Sequence, residues 1–211
     1  MNFTKQQLAL FWIALVHISG AIGMLFQPDF FLPLTAVNLL STAAILLWLD
    51  KWLHAKAFFI IAILGWCIEW LGVHTEVIFG TYSYGENLGW KWSDIPLVIG
   101  INWALLVISF YQTFLLVWPN HSLLVRASLT ATGMVALDAL IESAAPRMDF
   151  WSFDAPYPPL QNFIAWWVVT FLLVLLIHFL KGWEKKASHS YGLVFLFIQF
   201  VFFFLLICFL S

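Results

Sequence analysis

Several windows of about 20 residues in this chain carry no charged side chain, which is the length an α-helix needs to cross the hydrocarbon core of a bilayer. Nothing else constrains the fold as tightly, because a spanning segment must satisfy its own backbone N–H and C=O groups. Seven spans can be drawn, at about 6–26, 31–49, 57–74, 95–118, 122–144, 160–180 and 190–210. The expected fold is all-α: a polytopic membrane helical bundle of about seven helices, forming one domain over residues 1–211. Composition agrees, since 63% hydrophobic and 9% charged residues leave too few charges to cover a water-facing surface. Disorder, nucleic-acid binding and a secreted disulfide scaffold are excluded on the same ground. The first span is full length and no small-residue cleavage site follows it, so it does not read as a cleaved signal. Turns are expected at Pro28, Asp29 and Pro33, at Asp50 and Lys51, at Pro119 and Asn120, and over Lys181 to Lys186. Cys67 and Cys208 fall within spans and read as buried thiols, with neither a disulfide nor a metal site.

Charge sets the expected orientation. Lys5, Lys51, Lys56, Arg126, Lys181, Lys185 and Lys186 share the side of the N-terminus, against Lys91 and Arg147 opposite, so the N-terminus should be cytoplasmic. The expected location is the plasma (inner) membrane, with the lipid bilayer as a partner. Most acids lie on the far side, and three are inside spans: Glu69, Asp138 and Glu142. Each such group costs roughly 2.5–3.5 kcal/mol on insertion scales and usually faces a bundle interior. Asp138 and Glu142 stand four apart, so both carboxyls lie on one helix face, and Glu69 reaches a similar depth on the third span. Close like charges in a low dielectric do not both ionise easily, so one can stay a carboxylic acid and donate a proton. The plainer reading is that these acids tie helices together through Arg147, Lys91 or Trp N–H donors.

Two loops on the far side are unusually aromatic. One runs from Gly72 through Tyr82, Ser83 and Tyr84 to Trp90, Trp92, Asp94 and Pro96; the other holds Asp149-Phe150-Trp151-Ser152-Phe153-Asp154 and Pro156 to Asn162. The alternation at Tyr82 and Tyr84 suggests extended backbone, and a connection of this length is more often functional than structural. Trp90 and Trp92 suit an interfacial aromatic belt. Asn102 and Asn162, a turn or two inside their spans, suit either orienting a water, capping a carboxyl or bridging helices.

Several chemistries are excluded by what is missing. A retinal-binding bundle needs a mid-membrane lysine, and every lysine here lies in a loop or at a span end. His17, His54, His74, His121, His178 and His189 are too scattered for a di-iron site, so no metal is expected. Two far-side cations are too few for a magnesium-diphosphate site. There is no Gly-rich dinucleotide loop and no serine nucleophile with a base, so no cofactor is expected.

Glu69-x-x-Gly72, Phe79-Gly80-x-Tyr82-x-Tyr84, Leu88-Gly89, and Pro96 leading to Asn102-Trp103 resemble the first signature of the integral-membrane carotenoid biosynthesis proteins. That family includes acyclic carotenoid 1,2-hydratases and bacterioruberin-precursor hydratases. Asp138-x-x-x-Glu142, Ala145, Asp149-Phe150-Trp151 and Pro159-Leu160-Gln161-Asn162 to Trp166 are similar to the second. The resemblance covers roughly residues 65–167. One departure is Thr75-Glu76, where the family usually has Thr-Gly.

The resemblance implies addition of water across the terminal C1–C2 double bond of an acyclic carotenoid end. Protonation at C2 leaves a tertiary cation at C1, which water captures. That chemistry needs a desolvated acid, a base to orient water, and aromatic faces toward the cation. Glu69, Asp138 and Glu142 are the candidate catalytic groups, with Glu76 and Asp94 as reserve acids. Tyr82, Tyr84, Asp94, Asn102, Trp103, Trp151, Asn162 and Trp166 are the candidate substrate-binding set. Expected partners are the carotenoid and water, with other membrane enzymes of the pathway as candidates. A carotene cyclase, which lets an internal double bond capture the cation, is the nearest alternative; a carotenoid or quinone carrier or small transporter is the alternative from another class.

Overall fold

The computed structural model describes residues 4–49, 54–180 and 190–209. Seven helices in it are long and apolar enough to cross a membrane. The first, α1 (Lys5–Phe26), starts at a capping box in which Thr4 Oγ1 accepts from the Gln7 amide at 3.2 Å and Gln7 Oε1 accepts from the Thr4 amide at 3.0 Å. The second span is composite. A short α2 (Pro28–Phe31) runs through a 3-10 turn at Leu32–Leu34 into α3 (Thr35–Leu49). Pro28 and Pro33 therefore do not lie in a loop, as their turn signal suggested. Each sits in the first turn of its segment, where a missing N–H leaves no bond unmade.

The remaining spans are α4 (Ala55–Thr75), α5 (Leu97–Val117), α6 (Leu123–Ala144, with a 3-10 turn to Met148), α7 (Leu160–His178) and α8 (Tyr191–Phe209). Helix α5 is the axis of the bundle. It has no ionisable residue except Tyr111, is buried over most of its length, and touches α3, α4, α6 and α8. The outer helices turn apolar side chains such as Phe11, Ile18, Ile63 and Phe197 outward, as a lipid-facing surface requires. Cys67 and Cys208 are also on that outer surface, not buried as expected. Lipid and protein interior are equally apolar, so hydropathy alone could not assign their side. The turn signals at Asp50, Lys51 and Lys181 to Lys186 lie outside the described residues.

Small residues decide how closely α4 and α5 approach. A Cβ on Gly100 would sit 2.2 Å from the Ala62 carbonyl oxygen, and one on Gly65 would sit 2.7 Å from Trp103 Cβ. With backbone against backbone, Glu69 of α4 and Trp103 of α5, each about one turn further on, are brought within direct reach of one another.

The two aromatic loops are joined by a sheet. Strand β1 (Tyr82–Tyr84) pairs antiparallel with β4 (Trp151–Phe153), matching Tyr82 with Phe153, Ser83 with Ser152 and Tyr84 with Trp151. Side chains alternate across a strand, so the four aromatics turn inward while Ser83 and Ser152 face out. Asp149, at φ 50°, accepts the Glu86 amide at 2.8 Å, and Gly85 donates to the Phe150 carbonyl at 2.9 Å. A Cβ on Gly85 would lie 2.2 Å from the Asp149 carbonyl oxygen, so this junction requires glycine. A second hairpin pairs β2 (Lys91–Trp92) with β3 (Ile95–Pro96).

Candidate functional site

Glu69 is buried, and three neutral donors converge on it. Tyr82 and Tyr84 hydroxyls donate to Oε2 at 2.5 and 2.8 Å, and Trp103 Nε1 donates to Oε1 at 2.8 Å. The two tyrosines arrive from one strand because alternate residues share a face; the tryptophan arrives from α5 through the close helix contact. Burial, and next the Glu69 charge, push both tyrosine hydroxyls well above the ordinary phenol range. Both hydroxyls therefore stay protonated, and available as donors, around neutral pH.

Asp138 and Glu142 follow the helical spacing onto one buried face of α6. Asn162, in the first turn of α7, spans them: its Nδ2 donates to Asp138 Oδ2 at 3.2 Å and to Glu142 Oε1 at 3.1 Å. Trp151 Nε1 donates to Glu142 Oε2 at 3.0 Å. The second oxygen of Asp138 is buried and has no hydrogen-bond partner among the described residues. All the partners of these three acids are thus neutral. Lys91 bonds instead to Glu86 at 2.8 Å and to the Tyr84 carbonyl at 2.9 Å, and Arg147 is exposed. Of the ties considered from sequence, the indole N–H bonds are made by Trp103 and Trp151.

Glu69 and Glu142 line one small cavity of about 20 Å³, walled by Tyr82, Tyr84, Trp103, Trp151 and Trp166. That volume suits a single water molecule. Trp103 and Trp166 stack with ring centroids 4.1 Å apart. Asp138 does not line this cavity, and is linked to it through Asn162, which bonds to both Asp138 and Glu142. Next to it is a larger, mostly apolar cavity of about 340 Å³, bounded by α1, α3, α5 and α8. The two cavities share Ile99, Asn102 and Trp151 as a common wall. Trp12, Leu34 and Val37, which line the larger one, are exposed on the outer surface between α1 and α3.

Ten of the eleven expected site residues meet in this region. Asp94 does not. It occupies the exposed tip of the second hairpin, where Ser93 (φ 49°) and Asp94 (φ 65°) form the two-residue turn. Glu76 also stays outside, capping α4 at φ 59° and accepting from Thr81 Oγ1 at 3.0 Å. The turn that glycine would favour is therefore made by glutamate. Trp90 and Trp92 are exposed, as a belt requires.

The sequence reading missed Phe79, Phe153 and Ile99 as wall residues; Phe79 within the first signature and Phe153 within the aromatic loop carried a signal, whereas nothing distinguishes Ile99 from other apolar positions. It also missed His17 and Gln199, which bond to each other at 2.9 Å in the wall of the larger cavity. Two polar residues within otherwise apolar spans were the available signal. Among the described residues, no group of three His, Cys, Asp or Glu is arranged to hold a metal ion.

Comparison with known proteins adds an independent line. A family model described as carotenoid biosynthesis protein matches residues 31–211. Over 185 residues the chain is 28% identical to bisanhydrobacterioruberin hydratase of Haloarcula japonica; the match covers 82% of this chain and 62% of that protein. No solved structure matches.

Proposed function

This chain belongs to the carotenoid biosynthesis protein family, and we propose that it is a hydratase adding water across the terminal C1–C2 double bond of an acyclic carotenoid end. The observation that carries the reading is one cavity of about single-water size lined by two carboxyl-bearing residues between aromatic walls, beside a large apolar cavity reaching the lipid-facing surface. The similarity to a protein named as a hydratase supports it. The chain spans 62% of that protein's length, so the activity is assigned here on this chain's own residues.

In the proposed reaction the apolar cavity takes the carotenoid end from the bilayer. Glu142 protonates C2, and the π electrons of the double bond form the new C–H bond, leaving a tertiary cation at C1. Trp151, which lines both cavities, offers its ring to that cation. Water attacks C1 and its proton passes to Glu69, giving the tertiary alcohol. The roles follow the donor arrays. Glu69 receives three donors on its two oxygens, which suits a carboxylate acting as base. Glu142 receives two, and Asp138, with one oxygen unpartnered, shares the proton of the pair. Passage of the proton from Glu69 back to Glu142 resets the site. The reaction written this way needs no metal, nucleotide or flavin.

The test is expression in a host accumulating an acyclic carotene, with labelled water and labelled O₂ supplied in separate cultures. A 1-hydroxylated product carrying oxygen from water is expected. Oxygen from O₂ would identify an oxygenase, and a ring-closed product without added oxygen a cyclase.

A further inference from the structure

Among the described residues, most polar side chains around the acid site have a protein partner; the Trp166 indole N–H and the Asn102 amide do not. Asn162 spends its amide on Asp138 and Glu142, and Trp151 and Trp103 spend their N–H groups on Glu142 and Glu69. Elsewhere in the spans, Gln112 meets His54, Gln199 meets His17, and Asn38 accepts from Thr42. Asn102, in the second turn of α5, makes no side-chain hydrogen bond among the described residues, although it is only partly exposed and faces the wall shared by both cavities. A primary amide left without partners in an apolar setting is costly, and water is the usual remedy. The amide offers both an acceptor oxygen and donor hydrogens, and the adjoining space of about 20 Å³ holds about one water.

We infer that Asn102 holds the attacking water at the boundary between the apolar cavity and the acid site, and so sets whether a cation formed there becomes an alcohol or reverts to an alkene. This rests on the hydratase reading. The other two residues of the shared wall cannot do the same: Ile99 has no polar group, and the Trp151 N–H is committed to Glu142. Asn162, the other amide singled out from sequence, is likewise committed. Asn102 is a positioning residue. Its carbonyl accepts from the water and turns an oxygen lone pair toward C1. As the C–O bond forms, the second water proton leaves to the Glu69 carboxylate. Without that water, the cation loses a proton to the Glu142 carboxylate and the alkene is recovered.

The test compares wild type, Asn102→Leu, Asn102→Ala and Asn102→Gln in membranes holding an acyclic carotene, in heavy water. Alcohol formed and deuterium washed into the recovered carotene are both measured. Asn102→Leu and Asn102→Ala should lose alcohol by about a hundredfold, while deuterium exchange continues, because protonation by Glu142 is intact. Asn102→Gln should restore part of the alcohol. Alcohol within about threefold of wild type in Asn102→Leu or Asn102→Ala would overturn the inference while leaving the hydratase reading standing. Parallel loss of alcohol and exchange in folded protein would also overturn it, by placing Asn102 in the protonation step or the scaffold. Absence of alcohol from wild type would instead sink the hydratase reading, and this inference with it.

Discussion

Replacing Gly100 with alanine should damage the site from a distance, through the contact between α4 and α5. The added Cβ would begin 2.2 Å from the Ala62 carbonyl oxygen, whereas ordinary contact starts at 3.4 Å, so the helices must separate locally by about 1.2 Å. The atom in the way is backbone, which no side-chain rotation can move. Trp103 lies one turn further along α5, and its bond to Glu69 would stretch from 2.8 Å toward about 4 Å, beyond hydrogen-bond range. Three energies compete. Alanine gains up to about 1 kcal/mol of helix propensity, overpacking costs about 1–3 kcal/mol, and a lost hydrogen bond to a charged group costs about 1.5–3 kcal/mol. The losses win, leaving a net destabilisation of about 1.5–6 kcal/mol. A base misplaced by about 1 Å should also lower turnover by about a hundredfold. Thermal unfolding in detergent, followed by tryptophan fluorescence, measures the first effect, and product formation in membranes measures the second. Gly20→Ala is the stability control, because its Cβ would meet only the Phe202 ring at 3.9 Å and should be neutral or mildly stabilising. A Gly100→Ala protein that unfolds at the wild-type temperature and turns over normally would refute the close-approach argument.

The amide isosteres separate the acids: Glu142→Gln and Glu69→Gln should each lower hydration by about 10²–10⁴-fold with folded protein retained, and Asp138→Asn, which does not line the cavity, should lower it less. Equal losses from all three would overturn the assigned roles. In an alkaline titration, Tyr82 and Tyr84 should withhold their contribution to tyrosinate absorbance until the protein unfolds. Because their folded values are raised, the stability they provide is complete below the unfolded value of about 10 and declines as pH rises past it. Tyr82→Phe should flatten that decline; an unchanged alkaline profile would show that Tyr82 does not contribute. Reporter fusions at Gly85 and at the C-terminus should both report the non-cytoplasmic side, as the distribution of lysine and arginine requires. Cytoplasmic signal from both would invert the orientation.

What the sequence determined by itself is what depends on short stretches of chain. Spanning is one such property, because it sums over about 20 consecutive residues and needs no partner, and the seven helices follow the seven hydropathy segments. The shared face of Asp138 and Glu142 is another, being a consequence of helical periodicity alone. The inward turn of Tyr82 and Tyr84 was half legible: alternation puts them on one face, but only β4, some seventy residues later, defines which face is covered. The rest needed the tertiary structure. The Glu69–Trp103 bond depends on how far two glycines let α4 and α5 approach. The different circumstances of Asn102 and Asn162 depend on which amide lies against the acids, and Asp94 is lost to the site because its turn points away. The physical reason is common to all of them. In a bilayer helix every face is apolar, so hydrophobic periodicity no longer marks the side that meets protein, as the outward-facing Cys67 and Cys208 illustrate. Which face turns inward is decided by close contacts between backbones and by where buried polar groups find partners.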